Sequence, residues 1–347
     1  MSKNVLIVGG YGMVGGKIAI ELLKATSWTI YIGGRNLDKA KDFCKEKDLH
    51  PLLIDVTQPL IDDQILKMDL VIMCLDQENT AFAKYCLESG VNYVDITANY
   101  PFMKEVEQLS HMAQNATALF SVGFAPGLSN LLAKDTAGKM DRISELHITI
   151  MLGLGEKHGV GAIEWLLDQL NEPYELQNSK TKETVYNFSQ KKRTTFQRFG
   201  SRSSYLFNFS DQHTLRKSYP GCDIRTHLTF DVEWVNRLVH LFQVLRLTSL
   251  LKQKWMRKWI VKSIQKSSLG SDICAIKVEG RNDEKGKVNE ISQVMYAHNE
   301  AAMTACITAL VARKMMDESL PSGVYHIDHF YRLEDFIPFI PVEKDSF

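Results

Sequence analysis

The chain carries no excess of either charge, no paired cysteines and no long apolar run, and each absence removes a class of protein. Basic and acidic residues number 41 each, so no field over the whole chain favours nucleic acid. The six cysteines, Cys44, Cys74, Cys86, Cys222, Cys274 and Cys306, include no Cys-x-x-Cys pair. They read as reduced thiols rather than as a disulfide framework or zinc site. No uncharged stretch approaches the roughly eighteen residues of a membrane span. The N-terminus shows no basic region followed by a long apolar segment, so a signal peptide is not expected and a cytoplasmic location is. Internal repeats and low-complexity linkers are also missing. What remains is a 347-residue chain of ordinary globular composition, long enough for two domains.

The most informative stretch that is present runs from Asn4 to Gly16. The apolar run Val5 to Val8 suits a strand buried on both faces. It leads into Gly10-x-Gly12-x-x-Gly15 and then a helical pattern with Val14, Ile18 and Leu22 on one side. In this strand–turn–helix setting the glycines have distinct tasks. Gly10 permits the tight turn, Gly12 admits a pyrophosphate to the backbone, and Gly15 brings the helix close to the strand. Amide groups at the helix start then favour the phosphate anion. The motif indicates a dinucleotide but no particular reaction.

Downstream, short apolar segments alternate with helices: strands near 28–32, 52–56, 69–75, 92–96 and 118–124, with helices near 37–47, 80–89 and 102–114. This predicts an α/β, Rossmann-type doubly wound parallel sheet with its cofactor at the carboxyl ends of the strands. Beyond Gly127 the pattern becomes period-2 and aromatic, in 145–152, 183–209, 275–280 and 293–297, which predicts a second α+β domain on a largely antiparallel sheet. The expected division is a dinucleotide-binding domain over 1–130, completed by 300–347, and a substrate and dimerisation domain over 131–299. Tyr186, Phe188, Phe207 and Phe209 exceed what one small sheet easily buries, so a homodimer through this second domain is expected.

At the end of the second strand stands Gly33-Gly34-Arg35-Asn36. An NAD-preferring site carries an acidic residue here to accept from the ribose 2′-hydroxyl, and this chain has none between Thr29 and Asn36. Arg35, with Lys39 one turn on, suits a 2′-phosphate instead, and the cofactor is read as NADP(H).

Five segments fall in a recognisable order: Gly9-Gly-Tyr-Gly-Met-Val-Gly15, Gly34-Arg-Asn-x-x-Lys39, Asp55-Val56, Tyr93-Val-Asp95 and Gly123-Phe-Ala-Pro-Gly-Leu-Ser-Asn130. In this the chain resembles the saccharopine dehydrogenase (saccharopine reductase) superfamily, densely over residues 4–135 and faintly near 301–313 and 321–333. The resemblance implies that Gly10, Gly12, Met13, Val14 and Gly15 contact the pyrophosphate and that Arg35, Asn36 and Lys39 take the 2′-phosphate. Asp55 and Val56 would lie on the adenine side, Cys74 and Leu75 at the ribose. It also implies hydride transfer between nicotinamide and the C=N carbon of an imine or secondary amine. One departure stands out: the family often reads Gly-Phe-Asp-Pro-Gly, where this chain has Ala125. That argues against saccharopine itself and for a different, less cationic, amino-acid-like substrate.

The candidates for proton transfer are Asp95, His158 and Asn130. Asp95 closes the fifth strand, where a cap or turn role competes. His158 sits on the glycine-rich turn Gly155-Glu-Lys-His-Gly159 and titrates near neutrality, as many surface histidines do. Asn130 opens a helix after a Pro-Gly turn and suits a cap. Tyr100-x-x-x-Lys104 matches the short-chain dehydrogenase pair but follows the fifth strand too closely and is read as coincidence. His326-x-x-His329 lacks a second ligand cluster, so no metal is expected.

The segment 234–266 is the least ordinary. From Arg237 to Lys266 it holds eight basic residues and no acidic one, interleaved with Leu238, Leu241, Phe242, Leu245, Leu250, Leu251, Trp255 and Trp259. Such a helical pair suits an anionic membrane surface. Equally it suits a lid or dimer face buried in protein, which is the preferred reading within an enzyme of this family. Two alternatives to imine reduction stay open: a ketone or enoyl reductase acting on a lipid at the membrane, and a non-catalytic NADPH-sensing regulator.

Overall fold

The structure, a computed structural model, describes residues 3–58, 64–156, 159–170, 172–177, 182–266, 269–284 and 287–344. The chain divides into two compact units, one of residues 1–130 with 301–340 and one of residues 131–300 with 341–347.

The first unit alternates β1 (Asn4–Val8), α1 (Met13–Ala25), β2 (Thr29–Gly34), α2 (Leu37–Cys44), β3 (His50–Leu53), β4 (Leu70–Met73), α3 (Ala81–Glu88), β5 (Asn92–Asp95), α4 (Tyr100–Glu107) and β6 (Thr117–Phe120). Val5, Leu6, Ile7 and Val8 are wholly buried, as a strand covered on both faces requires. The strands form one parallel sheet in the order β3-β2-β1-β4-β5-β6, the doubly wound order with its switch point between β1 and β4. A seventh strand comes from the C-terminal segment and extends the sheet beyond β6, pairing Gly323 with Thr117 through His326 with Phe120. The tail's Tyr331 and Phe336 are buried.

Helix α5 (Ser129–Gly138) leads into the second unit, where β7 (Glu145–Leu152) and α6 (Val160–Gln169) precede β8 (Pro173–Gln177), β9 (Lys182–Tyr186), β10 (Lys191–Phe196) and β11 (Gly200–Leu206). Then follow α7 (Asp211–Ser218), β12 (Asp223–Phe230), α8 (Glu233–Val244), α9 (Lys254–Lys266), β13 (Ile273–Glu284) and β14 (Lys287–His298). The large sheet has the order β10-β11-β12-β7-β13-β14, closed at the far edge by Val342–Lys344, and β8 pairs with β9 apart from it. Every pairing is antiparallel except β12 with β7. The sheet curls until β10 side chains meet those of β7 and β13: Thr194 Oγ1 lies 3.3 Å from Thr149 Oγ1, and Lys192 pairs with Glu279.

Two expectations change here. The last residues join the second unit, because Val342–Lys344 adds to the edge of β14. The aromatic argument for a dimer also fails in its premise. Phe188, Phe207 and Phe209 are buried within one chain, with Phe188 stacked on Tyr205 and Phe230 and with Trp165 against Phe207 and Phe209. Of the four aromatics, only Tyr186 stays exposed.

Candidate cofactor site

The glycine turn is anchored on its neighbour strand. The amides of Gly9 and Gly10 both donate to Gly33 O, at 2.8 and 3.3 Å, and Gly12 N donates to Gly9 O at 2.8 Å. A Cβ on Gly15 would stand 2.4 Å from Gly9 O, and one on Gly10 2.8 Å from Ile7 O, so neither position admits a side chain without moving backbone. Gly12 is the N-cap of α1 and has no side chain to satisfy the helix's first amides, and no acid lies in the first turn. The amides at this helix start therefore have no side-chain acceptor from the cap, which fits an anionic pyrophosphate. Met13 and Val14 are accessible beside it while Gly15 is buried. Leu75, after β4, packs against Gly9, where an added Cβ would lie 2.9 Å from the leucine side chain.

At the end of β2 the missing side chain of Gly34 has a visible reason. A Cβ there would fall 2.5 Å from the Tyr11 hydroxyl oxygen, whose ring covers this glycine. Tyr11 Oη in turn accepts the Asn36 amide at 3.3 Å. Tyr11 thus joins the glycine turn to the Arg35-Asn36 corner. Sequence reasoning missed it because it occupies an unspecified position of the motif. Asn36 caps α2, its Oδ1 accepting from Lys39 N at 2.9 Å, so this side chain shapes the corner as well as facing it. Arg35 is exposed. Asp55 accepts from Thr57 N at 3.0 Å and Thr57 Oγ1 at 2.7 Å, and these bonds, with a smaller contribution from Arg35, hold its carboxyl below the usual range. Next to it, Val56 and Thr57 line a cleft of about 430 Å³ with Gln58, Asn79, Lys84 and Tyr85. Burial pushes the Cys74 thiol up, so it packs as a neutral group.

The candidates for proton transfer have different environments. Asp95 is wholly buried. One carboxylate oxygen accepts from Thr97 N at 2.8 Å, and the other from Tyr93 Oη at 2.6 Å and Gln77 Nε2 at 3.0 Å. Burial raises its pKa to about 7, against the pull of these bonds and with a push from Asp76. It is the hub of a buried network and meets no solvent. Asn130 is equally buried; its Oδ1 accepts Gly127 N at 3.1 Å and closes the 123–128 turn, whose Gly127 adopts φ 137°. In that turn Phe124 N donates to Thr304 Oγ1 at 3.1 Å, and Ala125 is partly exposed between buried neighbours. His158 lies outside the described residues. By their contacts Asp95 and Asn130 hold the turns that follow β5 and β6.

One constellation had no signal in the sequence. Ser121, at φ 55°, lies 2.9 Å by its Oγ from His326 Nδ1, and His326 Nε2 lies 2.7 Å from Glu107 Oε1. The partners are 205 and 219 residues apart, so only the docking of the C-terminal strand unites them. Ser121 and His326 are almost fully buried, so this chain ties β6 to the tail and α4 without offering a nucleophile. It also employs His326 of the His326-x-x-His329 pair. Among the described residues no three His, Cys, Asp or Glu side chains gather as metal ligands.

A doubly wound sheet with an uncapped glycine turn at its switch point defines a dinucleotide-binding domain. Residues 5–120, a third of the chain, match the family model of the saccharopine dehydrogenase NADP binding domain, and the cofactor of this unit is NADP(H). In sequence, the chain is 29% identical over 154 residues to the mitochondrial alpha-aminoadipic semialdehyde synthase of Mus musculus. That match covers 43% of this chain and 16% of the mouse protein; the Rattus norvegicus counterpart gives the same coverage. In structure, the chain is similar to saccharopine dehydrogenase (L-Glu forming) from Saccharomyces cerevisiae, with TM-score 0.67 at 13% identity, covering 99% of this chain and 100% of the yeast one. It is also similar to the DAP dehydrogenase of C. glutamicum, with TM-score 0.50 at 13% identity over 97% and 98% of the two chains. At these identities the structural likeness concerns the fold.

Proposed function

We propose that the chain is an NADP(H)-dependent oxidoreductase that reduces the C=N bond of an imine formed from a small amino-acid-like substrate, or runs the reverse oxidation of a secondary amine. The observation that carries the cofactor half is the uncapped Gly12 helix start beside Arg35, with no carboxylate at the end of β2. NADPH, when bound, supplies the hydride; the chain's residues hold and orient it. Gly10, Gly12 and Gly15 leave room at the pyrophosphate, and Arg35 and Lys39 offer positive charge to the 2′-phosphate.

The second unit supports the substrate half. Inside the curl of its large sheet, Lys192, Lys277 and Arg225 stand with Glu279 and Asp223. His147 and His227 lie between them with ring centroids 5.6 Å apart, and their Nδ1 atoms find no hydrogen-bond partner among the described residues. Burial lowers the pKa of His147 to about 4, so it serves as a neutral donor or acceptor. An interior that offers both signs of charge and neutral imidazoles suits a molecule bearing both amine and carboxylate. His158 is assigned the proton transfer from the sequence alone.

The test is NADPH oxidation against amine and keto-acid or aldehyde pairs. Turnover should require both members of a pair. Equal rates with the carbonyl compound alone would replace C=N by C=O reduction. His158→Gln should lower kcat roughly 10²-fold on the active pair with NADPH binding unchanged.

A further inference from the structure

The two-helix arm of the second unit is built with its apolar stripe facing outward. On α8 the inward positions are Glu233, Asn236 and His240. Asn236 accepts from Phe230 N at 2.6 Å and donates to Phe230 O at 2.9 Å, Glu233 accepts from Ser203, and His240 stacks on Tyr205 at 4.5 Å. Polar groups therefore seat this helix. The opposite side carries Trp234, Leu238, Leu241 and Leu245, spaced four, three and four residues apart on one helical face, and all are exposed. On α9, Arg257 anchors the helix to Asp168 at 2.5 Å and to Glu164 O at 3.0 Å. Trp255 and Trp259 sit one turn apart and are 67% and 65% exposed, with Lys258 and Lys262 beside them at helical spacing. Leu247 and Leu250, between the helices, are exposed too.

From this arrangement we infer that the arm, residues 234–266, docks the protein onto an anionic membrane surface, with its tryptophans and exposed leucines in the headgroup boundary and its exposed lysines against lipid phosphates. Three occupants compete for such a face, and charge separates them. A second copy would set like charges together, since the stretch 237–266 holds eight basic residues and no acidic one; interface cores are moreover depleted in lysine. A single-stranded nucleic acid would satisfy the cations and stack its bases on the tryptophans, but it would leave the leucine stripe of α8 without an apolar partner. A bilayer of acidic lipids satisfies both, because an interfacial helix inserts its apolar side and pairs its basic side with headgroups. No helix among the described residues is long and apolar enough to cross the membrane, so the contact is peripheral.

The experiment is co-sedimentation of the full chain with phosphatidylcholine vesicles containing either no acidic lipid or roughly a third phosphatidylserine. Binding is expected to the acidic vesicles only, to weaken with salt, and to shift tryptophan emission to the blue. The double change Lys258→Glu with Lys262→Glu should reduce partitioning by about 30-fold or more, at about fivefold per lysine. Trp255→Ser with Trp259→Ser should cut the blue shift to the part that Trp234 supplies. Both variants change exposed positions, so their NADPH affinity should equal that of the unchanged chain and serves as the folding control. Equal binding to neutral vesicles, or none to acidic ones, overturns the inference. So does a dimer dispersed by the tryptophan changes without lipid, or an oligonucleotide bound in preference to vesicles.

Discussion

Helices α1 and α8 both carry apolar residues at helical spacing, and each unit treats that face differently: α1 buries it and α8 exposes it. In α1 the side formed by Ile18, Ala19 and Leu22 is wholly buried against the parallel sheet. In α8 the side formed by Trp234, Leu238, Leu241 and Leu245 is exposed, and polar residues fix the helix from beneath. A helical period identifies a face; it does not say what covers that face. The cover depends on which neighbours offer apolar area and which offer hydrogen bonds, and those neighbours come from distant sequence.

Four measurements sharpen or break this contrast. Leu22→Ala should have the largest effect, about 2–5 kcal/mol lost in denaturant unfolding, since it empties a closed site. The second concerns pH. Asp95 has its pKa raised from 3.8 to about 7 in the folded protein, chiefly by burial. Between those values the folded state holds a proton that the unfolded chain has released, so stability falls as pH rises through the window. Unfolding at pH 8 should thus cost less than at pH 5, by at most about 3 kcal/mol, since only the two pH units between pH 5 and the folded pKa contribute. Asp95→Asn should flatten the profile, because an amide has no charge to lose and the partnerless Gln77 Oε1 can accept from it. An unchanged pH slope in that variant would show that the carboxyl does not titrate in the network.

Smaller and confined to the cofactor is the effect of Arg35→Ala. It should weaken NADPH by roughly 10- to 150-fold in calorimetric titration, given about 1.5–3 kcal/mol for hydrogen bonds to a charged group. NADH, lacking the 2′-phosphate, should bind the variant as it binds the unchanged chain; equal wild-type affinity for both cofactors would sink the assignment. Least of all, Leu241→Ala should alter stability by no more than about 0.5 kcal/mol, as an exposed position does. A loss near that of Leu22→Ala would mean the outward stripe of α8 is covered by protein in solution.

The first unit was legible because its signals are local. The strand, the glycine turn and the following helix lie within Asn4–Ala25, and the missing acid at the end of β2 within Thr29–Asn36. Steric need and phosphate recognition act there between near neighbours, so residue type alone expresses them. Tyr11 was hidden although it lies in the motif, because its task is to cover Gly34 on the next strand. The second unit was less legible for a matching reason. β12 lies parallel to β7 although 70 residues of helices and hairpins separate their segments in the chain, and Phe207 and Phe209 find Trp165 only through that path.

Residue order by itself determined the α/β class, the NADP preference expected at Arg35, and the amphipathic character of the 234–266 segment, each set by covalent neighbours, helical period and unshielded charge. Tertiary structure alone decided the rest. It enclosed Asp95 until burial raised the pKa of its carboxyl, joined Ser121 to His326 and Glu107 across two hundred residues, and turned the aromatic strands inward. It also left the tryptophans of α8 and α9 facing out. Burial and long-range hydrogen bonding depend on which surfaces meet, and no local pattern encodes that meeting.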